Sequence, residues 1–173
     1  MQTCVSANLE TKVPCTFLQA EVLSALRNKL QNNPIDAFAI FVATLVEAGD
    51  NGPPVAVLEL FLANNEDVMA FLPEGAFSPD RSLRKRGYAF LSSMAVDESE
   101  RRKGCASALL DAAHSVADRW NYGFAALQVY ADNAAGIALY EKNGYQQVNI
   151  DPEWRAAFGF KRNVLMVREL DVQ

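Results

Sequence analysis

The sequence predicts a mixed α/β (α+β) domain in which helices cover both faces of a mostly antiparallel sheet. Segments rich in β-branched and aromatic residues alternate with segments of helical periodicity, in the order helix, three strands, helix, strand, helix, two strands. The first two strands are separated by Gly49–Pro54, a turn-forming segment typical of an antiparallel hairpin. With 173 residues, half of them hydrophobic, the chain is long enough to bury one sizeable core.

The N-terminal part of the chain supplies the first helix and the hairpin. Residues 1–14 have no clear period and stay unassigned, whereas residues 15–173 are predicted to form a single domain. Thr16–Gln31 has apolar residues at helical spacing and is predicted to be an amphipathic helix. Phe38–Glu47 is predicted to be a strand, and Val55–Leu62 is predicted to be its antiparallel neighbour.

The middle of the chain contains the predicted central strand. Residues 64–87, which include the basic triplet Arg84–Arg86, have the least regular pattern and are predicted to form a loop. Tyr88–Val96 is the predicted central strand, and a helix is predicted over residues 103–120. The polar face of that helix includes His114, so we expect the only histidine of the chain to face solvent.

The C-terminal part of the chain completes the predicted sheet. Phe124–Tyr130 is predicted to be a strand, and Ala134–Lys142 is predicted to be a short helix. Asn143-Gly144 should end this helix, because both residues tolerate a left-handed conformation. Tyr145–Ile150 and Val164–Leu170 are the last two predicted strands.

The composition restricts the compartment and the partners. A net charge of −5 argues against nucleic acid as the main partner. The three cysteines form no CxxC pair, so neither a metal site nor a disulfide framework is predicted. No segment reaches the roughly 18 apolar residues of a membrane span, and the chain does not begin with a signal-peptide pattern. We therefore expect a soluble intracellular protein without membrane contact. Both a monomer and a homodimer stay open.

The turn between the central strand and the next helix has the composition of an anion site. Polar and acidic residues, Asp97–Glu100, are followed by the cations Arg101, Arg102 and Lys103, then by Gly104 and the helical pattern. The N-terminus of a helix offers unpaired N–H groups and the positive end of the helix dipole. A glycine there lets the backbone approach a ligand closely. A pyrophosphate would be well placed at this turn.

Two motifs in this half of the chain resemble those of a known family. Arg101-x-x-Gly-x-Ala is similar to the acetyl-CoA signature of the GNAT N-acetyltransferases, Arg/Gln-x-x-Gly-x-Gly/Ala. The segment Asn133–Tyr145 is similar to the family's second signature, Asn-x-x-Ala-x-x-Leu-Tyr-x-x-x-Gly-Phe/Tyr. The resemblance covers about residues 16–170 and implies the GNAT fold, with acetyl-CoA as co-substrate. Because that fold normally opens with one more strand and helix, it also implies truncated N-terminal elements.

The resemblance implies which residues hold the cofactor. Backbone groups at the end of the central strand bind the pantetheine arm, the turn binds the pyrophosphate, and the start of the later helix contacts the arm again. In that order the residues are Met94, Ala95 and Val96; Arg102, Lys103, Gly104, Cys105, Ala106 and Ser107; and Asn133, Ala134, Ala135 and Tyr140. Backbone N–H groups near Val96 would also face the acetyl oxygen. On residue types alone, this stretch can equally be the end of a buried strand.

Tyr140 aligns with the family's tyrosine and is the predicted catalytic acid. A phenol with a pKa of about 10 keeps its proton at neutral pH and can protonate a departing CoA thiolate. The alternative is an aromatic residue that only packs. Where some relatives have a glutamate as base, this chain has Gln128, which cannot take a proton. Glu59 is a possible substitute, although we expect it on the exposed side of its strand.

Other segments, among them Phe71–Gly75 and Asp151–Trp154, resemble the plastid acetyltransferases of plants. This narrower resemblance implies acetylation of protein N-terminal α-amines and lysine ε-amines in the chloroplast stroma. If this narrower resemblance does not hold, a cytoplasmic location is expected. Two alternatives stay open, since a fold does not select the acceptor: an acetyltransferase for polyamines or arylalkylamines, and an acetyl-CoA-binding module without enzymatic activity.

Overall fold

The computed structural model of the chain describes residues 31, 37–45, 53–72 and 87–170. The strands in these ranges are β1 (Phe38–Thr44), β2 (Pro54–Ala63), β3 (Tyr88–Val96), β4 (Phe124–Tyr130), β5 (Gln146–Ile150) and β6 (Asn163–Glu169). The helices are α1 (Glu66–Met69), α2 (Cys105–Arg119), α3 (Ala134–Lys142) and α4 (Trp154–Ala157), and a 3-10 turn, Glu98–Glu100, precedes α2. The six strands form one sheet in the order β1-β2-β3-β4-β6-β5.

The sheet is mixed, and its parallel pairing lies at the centre. β2 pairs antiparallel with β1 and with β3, and β6 pairs antiparallel with β4 and with β5. β3 and β4 are parallel neighbours, and α2 makes the crossover that a parallel pair requires. The predicted fold class, a mixed and mostly antiparallel sheet with helices, is therefore confirmed.

β3 and β4 pair over a short stretch, in which Ala89–Leu91 lies beside Ala125–Leu127. β3 continues to Val96 and β4 continues to Tyr130. Beyond Leu91 and Leu127, these described parts of the two strands no longer pair with each other. Backbone N–H and C=O groups on the two facing edges are thereby released from sheet pairing. A gap opens in the sheet on the side toward which both strands run.

β3 bends through a bulge close to the point where its pairing with β4 stops. The register between β2 and β3 shifts within Val57–Glu59, so that β3 has one extra residue there. Ser93, in this bulge, has a φ of 53°, which is uncommon for a residue with a Cβ. The extra residue inverts the alternation of side chains along the strand. As a result, Met94 and Val96 pack on the same core cluster as Leu91.

The sheet separates two apolar clusters. The larger cluster lies on the side of α2, which contributes Leu109, Leu110, Ala113 and Ala117, and α3 packs against it through Ile137, Leu139 and Tyr140. The smaller cluster lies on the opposite face and includes Leu72, Tyr88, Phe124, Ala126 and Val167, with Val68 and Met69 of α1 against it. The two longer helices that the structure describes therefore share one face of the sheet.

The predicted elements of the described ranges are present, with small changes at their ends. The helix predicted over residues 103–120 is observed as Cys105–Arg119. Two short helices were not predicted: α1 lies inside the segment predicted to be an irregular loop, and α4 lies in the connection between β5 and β6. Residues 1–14, most of the predicted helix Thr16–Gln31 and most of the turn Gly49–Pro54 lie outside the described residues.

The basic triplet Arg84–Arg86 of the predicted loop also lies outside the described residues. The start of that loop is described, and there the Asn65 side chain caps α1 by accepting a hydrogen bond from the N–H of Asp67 (2.8 Å). In the described part of the chain, no helix has both the length and the hydropathy that a membrane-spanning segment needs.

Candidate active site

The turn between β3 and α2 is held by short-range hydrogen bonds. The Asp97 carboxylate accepts hydrogen bonds from the hydroxyl and from the backbone N–H of Ser99, the latter at 2.9 Å, and begins the 3-10 turn. These two bonds hold the pKa of Asp97 below its usual value. Arg101 Nε donates to the C=O of Val96, the last residue of β3, at 3.3 Å. These bonds therefore hold the turn against the end of β3.

α2 begins with an open N-terminus. Gly104 is its N-cap residue, with a φ of 93°, and no side chain caps the helix. The first helical bond runs from the N–H of Ala108 to the C=O of Gly104 (3.0 Å). The N–H groups of Cys105, Ala106 and Ser107 precede that bond and point out of the helix end. Together with the helix dipole, these groups favour the binding of an anion.

Positive charge surrounds this helix end. Arg101, Arg102 and Lys103 are exposed, and the first turn of α2 contains no acidic residue. Lys103 Nζ lies 3.0 Å from Glu100 Oε1, but an exposed ion pair of this kind contributes little energy. A Cβ at Gly104 would meet no atom within 4 Å, so the left-handed backbone and not crowding requires the glycine. The open space, the donors and the cations fit a pyrophosphate.

Four of the predicted cofactor residues lie on the same side of the sheet. Met94 and Val96 of β3, Cys105 of α2 and Tyr140 of α3 all pack against the larger core cluster. Ala95, between the first two, is exposed. The structure thus places the separated end of β3, the open helix end and the predicted acid around one core.

The start of α3 uses the side chain of Asn133 as its cap. Asn133 Oδ1 accepts a hydrogen bond from the N–H of Gly136 at 2.9 Å. A Cβ on Gly136 would lie 2.6 Å from Asn133 Nδ2, so the missing side chain makes room for the cap. Ala134 and Ala135, also predicted to contact the cofactor, are exposed in the first turn. The capping role of Asn133 is therefore observed, while its cofactor contact stays a prediction.

Tyr140 is half-buried near the end of α3. Its ring meets the ring of Tyr145 edge to face, with centroids 5.8 Å apart and an angle of 68° between the planes. Burial raises the pKa of Tyr140 above its ordinary value of 10.0. The phenol therefore keeps its proton throughout the neutral and mildly alkaline range, as a proton donor must.

The prediction that His114 faces solvent is wrong. Its side chain is 8% exposed and contacts groups from two other parts of the chain. His114 Nε2 lies 2.7 Å from the hydroxyl of Tyr145, and Nδ1 lies 3.0 Å from Nη1 of Arg168. Burial, followed by the positive charge of Arg168, lowers the pKa of His114 from 6.5 to about 4. The imidazole is therefore neutral at physiological pH.

The expectation that Glu59 lies on an exposed side of β2 is also wrong, since this residue is 8% exposed. Ser92 is its neighbour on β3 and donates a hydrogen bond from Oγ to Glu59 Oε2, at 3.3 Å. Gln128 is exposed on β4, one residue beyond Leu127, where the pairing with β3 stops. The carboxylate and the amide therefore lie on the two strands that flank β3, at the level where the sheet opens.

The family is settled by the sequence. The sequence pattern of the acetyltransferase (GNAT) family matches residues 19–145, which is most of the chain. The chain belongs to this family. The sequence is also 36% identical, over 154 residues, to an Arabidopsis thaliana protein named GCN5-related N-acetyltransferase 10, chloroplastic. That match covers 87% of this chain and 56% of the relative, so the chain spans little more than half of the relative's length.

Solved structures with the same fold are more distant in sequence. Arabidopsis thaliana NAA60 in complex with acetyl-CoA superposes with a TM-score of 0.66 at 14% identity, over 85% of this GNAT chain and 82% of the other. The ribosomal-protein-S18-alanine N-acetyltransferase of Escherichia coli superposes with a TM-score of 0.57 at 20% identity, over 94% of each chain. At such identities the likeness establishes the GNAT fold.

The turn and Tyr140 were predicted from sequence as site residues, whereas the polar cluster that contacts Tyr140 through Tyr145 was not predicted. His114, Tyr145 and Arg168 come from α2, from the residue before β5 and from β6. The family signature includes the last aromatic position, Tyr145, but nothing in local spacing connects it to His114 or Arg168. One signal was available: a histidine one residue after the buried Ala113 can lie at the boundary of the helix's apolar face.

Proposed function

We propose that this GNAT chain is an acetyl-CoA-dependent N-acetyltransferase that acts on primary amines of proteins, namely N-terminal α-amines and lysine ε-amines. The observation behind the proposal is the uncapped, cation-flanked N-terminus of α2, which directly follows the strand that separates from β4. Family membership supports acyl transfer. Of the two structural neighbours above, one is in complex with acetyl-CoA and the other is named for a ribosomal-protein acceptor.

The residues at the turn fit the cofactor. The N–H groups of Cys105, Ala106 and Ser107 would hold the pyrophosphate, and the side chains of Arg102 and Lys103 would neutralise its charge. The backbone of Met94–Val96, freed from pairing with β4, would hold the pantetheine amides. Acetyl-CoA supplies the activated acetyl group, and the remaining chemistry is the movement of protons by this chain.

Tyr140 would donate the proton that the departing thiolate needs. Its phenol is half-buried on the same core cluster as Met94 and Val96, and burial raises its pKa. A raised pKa keeps the donor protonated until the thiolate forms. Backbone N–H groups at the separated end of β3 would stabilise negative charge on the acetyl oxygen.

Glu59 is the candidate for the opposite proton transfer, from the amine of the acceptor. It lies beside Ser92 at the level where β3 and β4 separate, and it is the described carboxylate buried on β2. Gln128, at the matching level of β4, has no proton-accepting capacity. We therefore assign the role of base to Glu59, acting directly or through water.

A protein acceptor is favoured by the surface beside the gap. The connection between β5 and β6 lies against the end of β4, where Lys161 Nζ is 4.5 Å from the ring centroid of Tyr130. Three large apolar side chains of this connection, Trp154, Phe158 and Phe160, are exposed. Exposed aromatic groups next to a reaction site are suited to an extended peptide more than to a small polar amine.

The test is acetylation of a peptide library by the purified chain, read by mass spectrometry. Peptides with a free N-terminus, peptides with an internal lysine, and a set of polyamines and arylalkylamines are incubated with acetyl-CoA. We expect acetylated peptides at N-terminal or lysine positions, and no product with Tyr140→Phe above about 1% of the wild-type rate. Acetylation of the small amines alone would overturn the protein acceptor, and binding of acetyl-CoA without any product would overturn the enzymatic role.

We also propose a plastid location, on the ground that the Arabidopsis relative is named as chloroplastic. A fluorescent fusion of the full-length protein in plant cells tests this directly. Fluorescence confined to the cytosol would contradict the proposal without affecting the assigned chemistry.

A further inference from the structure

A buried polar cluster joins the end of α3 to α2 and β6. His114 of α2 lies between Tyr145, which follows α3, and Arg168 of β6, at the distances given above. Arg168 Nη1 also donates to the C=O of Asn143, at 2.8 Å. Three elements of the fold therefore meet through one imidazole and one guanidinium group.

The hydrogen bonds of Arg168 determine the tautomer of His114. A guanidinium group can only donate, so Nδ1 of His114 must accept the hydrogen bond from Arg168. In the neutral imidazole the proton then lies on Nε2, which donates it to the hydroxyl of Tyr145. The direction of both hydrogen bonds is thus fixed, and the orientation of the imidazole is fixed with them.

Tyr145 contacts the predicted acid in two ways. Its backbone N–H donates to the C=O of Tyr140 at 3.0 Å, and its ring packs against the ring of Tyr140 edge to face. The hydroxyl at the far end of the Tyr145 ring is the group that His114 holds. Any rotation of the Tyr145 ring would therefore change the surface on which the Tyr140 ring rests.

We propose that His114 is a positioning residue for acetyl transfer: oriented by Arg168, it fixes the ring of Tyr145, and that ring holds the phenol of Tyr140 in the direction of the leaving thiolate. The inference rests on the proposed role of Tyr140 as acid. His114 itself touches neither cofactor nor acceptor in this proposal. Its effect is on the geometry of the proton donor, and small displacements of a reacting group are costly in rate.

Two conservative substitutions separate the two hydrogen bonds of His114. In His114→Gln, the side-chain amide nitrogen reaches the position of Nε2 and can still donate to Tyr145. In His114→Asn, the shorter side chain reaches only the position of Nδ1 and can still accept from Arg168. His114→Leu removes both bonds and keeps the apolar bulk. If His114 matters only for stability, the kcat of the variants should follow their thermal stability. If the proposal is right, kcat should depend on whether the variant keeps a hydrogen-bond donor to Tyr145.

Kinetics of the full chain test this ranking. We expect kcat to fall by about 10- to 100-fold in His114→Leu and His114→Asn, with the KM for acetyl-CoA unchanged, and His114→Gln to recover kcat to within about threefold. Measurements are made well below each variant's Tm. A kcat that follows Tm, or equal kcat in the Gln and Asn variants, would overturn the proposal.

The experiments distinguish a failure of the proposed role of Tyr140 from a failure of the proposed role of His114. If Tyr140→Phe keeps full turnover, the acid is another group and the proposed function needs revision. If Tyr140→Phe is strongly impaired while His114→Leu is not, the acid stands and the positioning role of His114 is wrong.

Nuclear magnetic resonance gives a readout that does not depend on the variants. The chain has one histidine, so the imidazole ¹⁵N signals need no further assignment. We expect the shifts of a neutral imidazole protonated at Nε2 at pH 7, and a change in these shifts when acetyl-CoA is added. A ring protonated at Nδ1, or an averaged mixture of tautomers, would contradict the geometry on which the proposal depends.

Discussion

Ser92 and Glu59 lie side by side on β3 and β2, and the serine hydroxyl donates to the glutamate carboxylate at 3.3 Å. The pair lies next to the last residues through which β3 contacts β4. A carboxylate in this place is buried, yet it is adjacent to the gap into which an amine could enter.

Glu59→Gln should lower kcat/KM on a lysine peptide by about 10²–10⁴-fold, the usual contribution of a positioned base. The loss on a free N-terminal peptide should be smaller, because an α-amine is about half neutral near pH 8 whereas lysine has a pKa near 10.4. Rates on both peptides between about pH 7 and pH 10 measure this. Gln128→Ala, which removes an exposed amide, is the matched control and should retain the wild-type profile. Equal losses on both peptides would indicate a structural role for Glu59.

Gly104→Glu should weaken the binding of acetyl-CoA by at least about 100-fold, because it places a carboxylate at the helix end that is assigned to the pyrophosphate. Gly159→Glu is the control: Gly159 has a similar φ of 80° and equally open surroundings, but it lies outside this turn. Both variants therefore have the same added charge and comparable backbone strain. Calorimetric titration with acetyl-CoA compares them, and similar dissociation constants for the two would remove the anion site from α2.

Tyr140→Phe should lower kcat by roughly 10²–10⁴-fold and leave the affinity for acetyl-CoA unchanged, because only the proton is lost and the ring still packs. Single-turnover kinetics with direct binding measurements separate the two quantities. Tyr130→Phe, at an exposed tyrosine of β4, is the control and should stay within about twofold. A loss of affinity equal to the loss of rate would show that the hydroxyl binds the cofactor and does not act as an acid.

The buried imidazole should make stability depend on pH. The pKa of His114 is about 4 in the folded chain and 6.5 in the reference state, so the unfolded chain binds more protons between these values. The free energy of unfolding should therefore be fully retained above about pH 6.5 and fall by on the order of 3 kcal/mol as the pH drops to about 4. Urea unfolding of wild type and His114→Gln at several pH values measures this. Because carboxylates titrate in both proteins, the difference between the two curves reports the imidazole alone. Parallel curves for the two proteins would contradict it.

The periodic elements of the fold could be predicted from sequence because each buries its apolar residues at its own spacing. Leu109, Leu110, Ala113 and Ala117 follow the helical repeat, and the structure buries all four. The short helices α1 and α4 could not be predicted this way, since four residues make barely one turn and show no repeat. Gly104 was singled out from sequence because a glycine lets the backbone approach a ligand; the structure adds a second reason, a left-handed backbone that glycine adopts without strain.

The burial of a residue could not be predicted where its neighbours come from distant segments of the chain. The partners of His114 lie 31 and 54 residues further along the chain, so the polar neighbours on its own helix face gave a false impression of exposure. Glu59 alternates with the buried Leu58 and Leu60, and the alternation correctly places it on the other face of the sheet. That face, however, also has an apolar cluster, and local pattern does not reveal it.

The sheet consists of two antiparallel sets of strands, β1-β2-β3 and β4-β6-β5. Only three residue pairs, between β3 and β4, join the two sets in the described part of the chain. Each set has long ladders of its own, so the junction between them is the part of the sheet with the fewest backbone bonds. A molecule held between the separated strand ends would act as a non-covalent cross-link between the two sets. Amide hydrogen exchange should therefore slow in both sets together when such a molecule binds, including at positions far from any contact with it.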